Sequence, residues 1–267
     1  MTRVISVATV FTVACGIGLL AQSPRDRQND DRCGNSSRQV FCDVRDDTFI
    51  SQGTLDADAT PNGGIAIRGS DRGDVHVRTR IQARADDEAT ARALAGQVRV
   101  TFNGGRLRAE GPETSGDQWW SASFEIDVPR NSRLQLTTKN GGISIADFNG
   151  YGRFETTNGG VALTNVGGDL QGSTTNGGVS VRLSGPTWNG AGLDVETRNG
   201  GVSMTLPQSF NAQLDVSTVN GGVSVDSVDQ SQPRSRDRHI VTTLGAGGAP
   251  LRLATVNGGV RVARAGN

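Results

Sequence analysis

Thr138-Lys139-Asn140-Gly141-Gly142-Ile143-Ser144-Ile145 is followed eighteen residues later by Thr156-Thr157-Asn158-Gly159-Gly160-Val161-Ala162-Leu163. The same pattern returns at 174–181 and 197–204. Asn-Gly-Gly occurs eight times, beginning at Asn62, Asn103, Asn140, Asn158, Asn176, Asn199, Asn220 and Asn257. A threonine stands two residues before every one of these asparagines, from Thr60 to Thr255. The spacings are 41, 37, 18, 18, 23, 21 and 37 residues. The unit is therefore 18–23 residues long, and each 37 is close to two units. Repetition on this scale marks a stacked architecture.

Apolar residues keep phase with the motif. Leu134/Leu136, Leu193/Val195, Leu214/Val216 and Leu251/Leu253 lie six and four residues before their asparagines. Ile143/Ile145, Val161/Leu163, Val179/Val181, Val202/Met204, Val223/Val225 and Val260/Val262 lie three and five after. This is period-two alternation, so each unit is two short strands meeting at Asn-Gly-Gly. Asn-Gly tolerates positive φ, which accounts for the turn chemistry. The motif fits a type I′ hairpin, or a corner of a β-solenoid whose rungs stack Thr on Thr and Asn on Asn. Equal units with fixed Thr and Asn favour the solenoid, with amide hydrogen bonds from rung to rung. The copy at Asn103 is one residue out of phase: Val98, Val100, Phe102 and Leu107 are apolar, and Arg106 and Arg108 take the usual apolar places. A one-residue slip exchanges the two faces of a strand, so a bulge or distinct edge is expected there. Residues 86–95 form the one convincing helix, capped by Asp86, and suit an end cap. The repeat 251–262 shows no cap after it, and an open β-edge predicts end-to-end self-association.

The composition narrows the class. Glycine supplies 37 of 267 residues, aromatics 4% and apolar residues 34%. The 27 basic and 27 acidic residues cancel, which argues against a general nucleic-acid binder. Lys139 is the one lysine and the one candidate for lysine-based catalysis. Residues 1–21 read as a signal peptide: Arg3, an uncharged apolar stretch over 4–20, and Ala21. A lipoprotein signal at Cys15 and an uncleaved anchor are the alternatives. Residues 22–45 read as a polar leader in which Cys33 and Cys42 close a disulfide loop. Residues 46–267 make up the solenoid. The segment 227–238 reads as a polar loop.

The serial T-x-N-G-G-[VI]-x-[VIL] units from Thr138 onward resemble the bacterial adhesin-like, domain-of-unknown-function family of exported β-solenoid proteins. Asn62-Gly63-Gly64-Ile65-Ala66-Ile67, the stretch Val75–Arg78, the alanine-rich helix and Trp119-Trp120 before 124–129 carry the same resemblance. It spans residues 40–265. It implies an all-β, single-stranded, right-handed β-helix with one short helix near its N-terminal end, outside the cytoplasm. It implies no catalytic residue.

Asp194 and Asp215 both stand five residues before their asparagines. Rungs stacked in sequence order would bring them about 5 Å apart. That separation suits a retaining glycosidase pair or calcium, although the column also holds Arg153, Gln171 and Arg252, as an ordinary solvated ladder would. The column four residues after each asparagine reads Ser144, Ala162, Ser180, Ser203 and Ser224, a smooth strip that suits contact with a glycan or another chain. Trp119, Trp120 and Trp188 are candidate sugar platforms, and His76 is expected on an outward strand face. No nucleophile elbow, phosphate loop or calcium-roll motif occurs, so neither a cofactor nor a metal is expected. The reading favoured is a non-enzymatic, adhesin-like or envelope-structural module, in the periplasm, envelope or outside the cell, free or lipid-anchored. Its partner is a glycan or protein of the envelope, with no role for nucleic acid. The alternatives are a polysaccharide-active β-helix enzyme and an extracytoplasmic sensor or regulatory domain.

Overall fold

Each repeat is one rung of two strands, with Asn-Gly-Gly at the corner between them. The computed structural model describes residues 40–226 and 238–265. The segment read as signal peptide, Cys33, most of the leader and residues 227–237 lie outside the described residues. The chain opens with β1 (Val40–Ile50), β2 (Thr54–Asp58), β3 (Ile65–Ser70), β4 (Asp74–Arg84) and α1 (Glu88–Gln97). It continues through β5 (Arg99–Asn103), β6 (Arg106–Glu110) and β7 (Trp119–Pro129). The regular repeats follow as β8 (Arg133–Asn140), β9 (Ile143–Ala146), β10 (Asn149–Asn158), β11 (Val161–Thr164), β12 (Gly167–Asn176), β13 (Val179–Arg182), β14 (Gly192–Asn199) and β15 (Val202–Leu206). The rest comprises β16 (Ala212–Asn220), β17 (Val223–Val225), β18 (His239–Leu244), β19 (Pro250–Asn257) and β20 (Val260–Arg264). Strand β1 thus begins at Val40, inside the stretch read as a leader ending at 45, and pairs with β4 along its whole length.

Strands before the corners form one sheet, ordered β18-β16-β19-β14-β12-β10-β8-β2-β6-β5, here sheet II. Strands after the corners form sheet I, ordered β1-β4-β7-β3-β9-β11-β13-β15-β20-β17. Neighbouring rungs run parallel with motif on motif: Asn140, Asn158, Asn176 and Asn199 are register partners in series. That register selects the solenoid over the hairpin. Inward residues such as Leu136, Val195, Ile143 and Val179 are buried between the two sheets.

The rungs do not stack in sequence order. The rung β19/β20 lies between β14/β15 and β16/β17. At the other end, β2/β3 lies between β6/β7 and β8/β9. The repeat at 251–262 is therefore an internal rung, which corrects the expectation that it leaves an open end. The terminal rung is β16/β17, and β18 runs antiparallel along β16 to cover that sheet.

Copy two is the exception the phase slip announced. β5 and β6 pair antiparallel, with Asn103 opposite Arg106. Gly104 and Gly105 between them have φ of 58° and 77°, as a type I′ turn requires. This copy is the hairpin that the other seven are not.

The helix caps the end beside this hairpin, packing on β1 and β4. Its N-cap is Asp87, one residue beyond the expected Asp86, because the Asp87 carboxylate accepts from both the Thr90 amide (2.9 Å) and the Thr90 hydroxyl (2.8 Å). Arg45 on β1 donates to the carbonyls of Val98 (2.7 Å) and Ala95 (3.3 Å) at the helix C-terminus, where the Ala95 carbonyl also accepts the Val98 amide. Phe49 stacks on Phe102, with centroids 4.2 Å apart, tying β1 to β5.

The hydrogen bonds from Thr90 hold the Asp87 carboxyl below its ordinary value. A carboxyl with a lower pKa in the folded than in the unfolded chain stabilises above the unfolded value, about 3.9. That contribution is lost as pH falls through the folded value. The melting temperature of Asp87→Ala should lie below that of the parent by a constant margin above about pH 5, and the margin should shrink below about pH 4. A margin unchanged down to about pH 3 would contradict the cap.

Candidate functional site

The corner is built by three residue types with separate tasks. The asparagine amides form a continuous ladder: Asn140 donates to Asn62, Asn158 to Asn140, Asn176 to Asn158, Asn199 to Asn176, Asn257 to Asn199 and Asn220 to Asn257, all at 2.8–2.9 Å. Asn103, in the hairpin, is outside it. Inside the corner, the hydroxyls of Thr138, Thr156, Thr174, Thr197, Thr255 and Thr218 each donate to the first-glycine carbonyl of an adjacent rung, at 2.6–2.8 Å. None of the eight asparagines has positive φ; among the described residues Asp147 and Asn165 are the non-glycine residues that do. The turn chemistry expected from Asn-Gly therefore does not explain the stacked copies. Crowding does: a Cβ on Gly141, Gly159, Gly177 or Gly200 would fall on the carbonyl of the first glycine in the neighbouring corner.

The second glycine of each motif opens onto the outer face of sheet I. Beyond it the column four residues after the asparagine runs Glu125, Ala66, Ser144, Ala162, Ser180, Ser203, Arg261, Ser224 by register. Five adjacent rungs thus present nothing larger than serine. Together with Gly64, Gly142, Gly160, Gly178 and Gly201 they floor a shallow, mainly apolar trough of about 740 Å³. The strip expected from the sequence is real but is interrupted: Arg261 separates Ser203 from Ser224 because its rung is intercalated.

The same intercalation overturns the carboxylate pair. Arg252 lies between Asp194 and Asp215 in register. The two acids are two strands apart, about 9.6 Å by strand spacing, and do not share a site. Arg252 donates to Asp194 at 2.7 Å, and this bond raises the guanidinium pKa above its ordinary value. Asp215 instead meets His239 Nε2 at 2.9 Å. Among the described residues no group of three or more His, Cys, Asp or Glu side chains is placed to hold a metal ion.

The aromatic candidates divide. Trp188 is buried, its indole nitrogen donating to the Gly168 carbonyl at 3.0 Å, so it is core and not a platform. Trp120 is part-buried and donates to the Pro112 carbonyl at 2.9 Å, while Trp119 is exposed beside it. His76 faces outward, 3.6 Å from Asp46 and 3.7 Å from Asp127. Lys139 is exposed next to the asparagine ladder. Nothing in the local pattern signals the Arg45 bonds at the helix end, since their partners lie some fifty residues away.

A family model described as Toastrack DUF4097 matches residues 64–263. No curated protein matches the chain. Three solved structures are similar at low identity. One, from Clostridium sporogenes and named for cell adhesion, is 10% identical, with a TM-score of 0.40 over 84% of this chain and 100% of its own. One from Bacteroides fragilis, named an adhesin, is 10% identical, with a TM-score of 0.32 over 86% and 98%. One from Parabacteroides distasonis, named for lipid binding, is 9% identical, with a TM-score of 0.29 over 84% and 97%.

Proposed function

This chain belongs to the Toastrack DUF4097 family, and on that premise we propose that it is an exported, non-enzymatic interaction module whose contact face is the trough on sheet I. The observation that carries the reading is the run of five rungs whose trough floor is only Gly, Ala and Ser, with Arg68 and Arg182 standing outward two residues further along their strands. A floor without long side chains loses little rotamer freedom when covered. Its shape is set by backbone, and that backbone is fixed by the ladders beneath it. A component of the cell envelope can approach such a floor closely along about 19 Å, four strand spacings. Export rests on the apolar segment at 4–20. The Cys33–Cys42 disulfide belongs to the same reading; free thiols at both residues in the exported chain would count against it.

The test fills the trough. Ser144 and Ser180 point outward, so Ser144→Arg with Ser180→Arg leaves the core intact. Binding of the purified chain to envelopes of the producing cell should fall at least tenfold, with an unchanged melting temperature. Undiminished binding by the folded double variant would remove the trough as the contact face.

A further inference from the structure

The outer face of sheet II carries a second, polar cleft of about 320 Å³, separate from the trough. Its backbone is the column five residues before each asparagine: Gln135, Arg153, Gln171, Asp194 and Arg252 are register partners on five successive strands. Ser173 on β12 makes the low point, because its neighbours in register are Glu155 and Glu196. We propose that this cleft binds an extended, hydroxyl-rich oligosaccharide lying along the solenoid axis, with one sugar unit per rung.

Three observations carry the ligand class. The first is commensurability. Rungs rise by about 4.8 Å, comparable to the advance of one equatorially linked pyranose unit, so a single chain meets an equivalent group at every rung. The second is the chemistry of those groups. Amide, carboxylate and guanidinium are planar and present paired donors or acceptors, which suits vicinal hydroxyls. Arg252 is held by Asp194 at 2.7 Å, and Arg153 Nε donates to the Tyr151 hydroxyl at 2.6 Å. Both guanidiniums are thereby oriented before any ligand arrives. Gln135, Gln171 and Ser173 have no hydrogen-bond partner among the described residues and keep their capacity for one. The third is charge. Two guanidiniums face three carboxylates in the cleft, a near balance that selects neither a polyanion nor a polycation.

A divalent cation does not fit the low point. Glu155 and Glu196 lie on strands about 9.6 Å apart, and among the described residues no third His, Cys, Asp or Glu joins them to hold an ion. An extended ligand spans that distance.

The experiment is calorimetric titration of the full chain with the neutral, equatorially linked β-1,4 series of glucose, N-acetylglucosamine and mannose, from disaccharide to hexasaccharide. At least one series should bind, tightening tenfold or more with length. Gln135→Ala with Gln171→Ala should weaken the hexasaccharide at least tenfold. Ser173→Arg, which fills the low point while facing two glutamates, should do the same at an unchanged melting temperature. The Ser144→Arg/Ser180→Arg trough variant should bind sugar like the parent. Absence of binding in all three series, affinity independent of length, or parental affinity in both cleft variants would overturn the proposal.

Discussion

Gly177→Ala should destabilise the protein by about 3 kcal/mol or more, lowering the melting temperature by roughly 10 °C. A methyl group there would fall on the Gly159 carbonyl, and the nearest atoms are backbone on a neighbouring rung that cannot step aside without breaking register. The adjacent Gly178→Ala is the internal control. Its Cβ would meet the Gly201 carbonyl at 3.3 Å, a tight contact that a small shift relieves. Reduced freedom of the unfolded chain works in its favour, so its net effect should lie within about 1 kcal/mol of zero. Gly104→Ala, in the hairpin, has open space around it but a φ of 58°. It should cost about 1 kcal/mol through backbone strain alone. Thermal or denaturant unfolding of the three variants checks the ranking. Equal costs for Gly177 and Gly178 would mean that the motif is turn chemistry after all.

Phe154→Ala should cost about 3–5 kcal/mol, and part of that loss should be recovered by a second substitution. Phe154 and Gly172 are register partners on β10 and β12, both four residues before their asparagines. The phenyl ring fills the room a side chain on Gly172 would need. Gly152 and Leu170 form the reciprocal pair two residues earlier, where a Cβ on Gly152 would lie 2.7 Å from a leucine methyl. Large faces small on each level, which is how two rungs of unequal sequence fill one interior. Gly172→Ala alone should be destabilising, because the ring blocks the new methyl. In the Phe154→Ala background the same methyl enters the space the ring vacated. The double-mutant cycle should therefore show a favourable coupling of about 1–3 kcal/mol. Strict additivity would contradict the packing.

Strands, corners and the end helix were legible because they follow from local pattern. Apolar period and Asn-Gly-Gly phase place β8 to β17 to within a few residues. The phase slip at Phe102 and Leu107 marked the one copy that became a hairpin. Rung order was not legible, because every rung carries the same inward residues and any order satisfies the core. A signal does exist outside the core: in sequence order Asp194 would face Asp215, and the observed order puts Arg252 between them. Like charges on directly adjacent strands are unfavourable, and an outward column read for sign would have favoured the intercalated rung. The sites followed from this one matter. The carboxylate pair dissolved and the serine strip was cut at Arg261. Local pattern shows only the φ tolerance of Asn-Gly, whereas the crowding at the first glycine comes from a neighbouring rung. Trp188, a candidate platform by sequence, is core, with its indole nitrogen reaching back to Gly168.

The most direct test of the stacked, non-sequential architecture is disulfide trapping on the outer face of sheet I. Ser203 and Ser224 each pair in register with Arg261 and not with each other. Adjacent strands put such residues about 4.8 Å apart at Cα, inside the span a disulfide bridges. Ser203 and Ser224, two strands apart at about 9.6 Å, lie outside that span. Under mild oxidation, Ser203→Cys/Arg261→Cys and Ser224→Cys/Arg261→Cys should each form an intramolecular crosslink in mapped peptides, and Ser203→Cys/Ser224→Cys should not. Efficient crosslinking of Ser203→Cys with Ser224→Cys, together with failure of Ser203→Cys with Arg261→Cys, would mean that the rungs stack in sequence order. The surfaces described above would then not exist in this form.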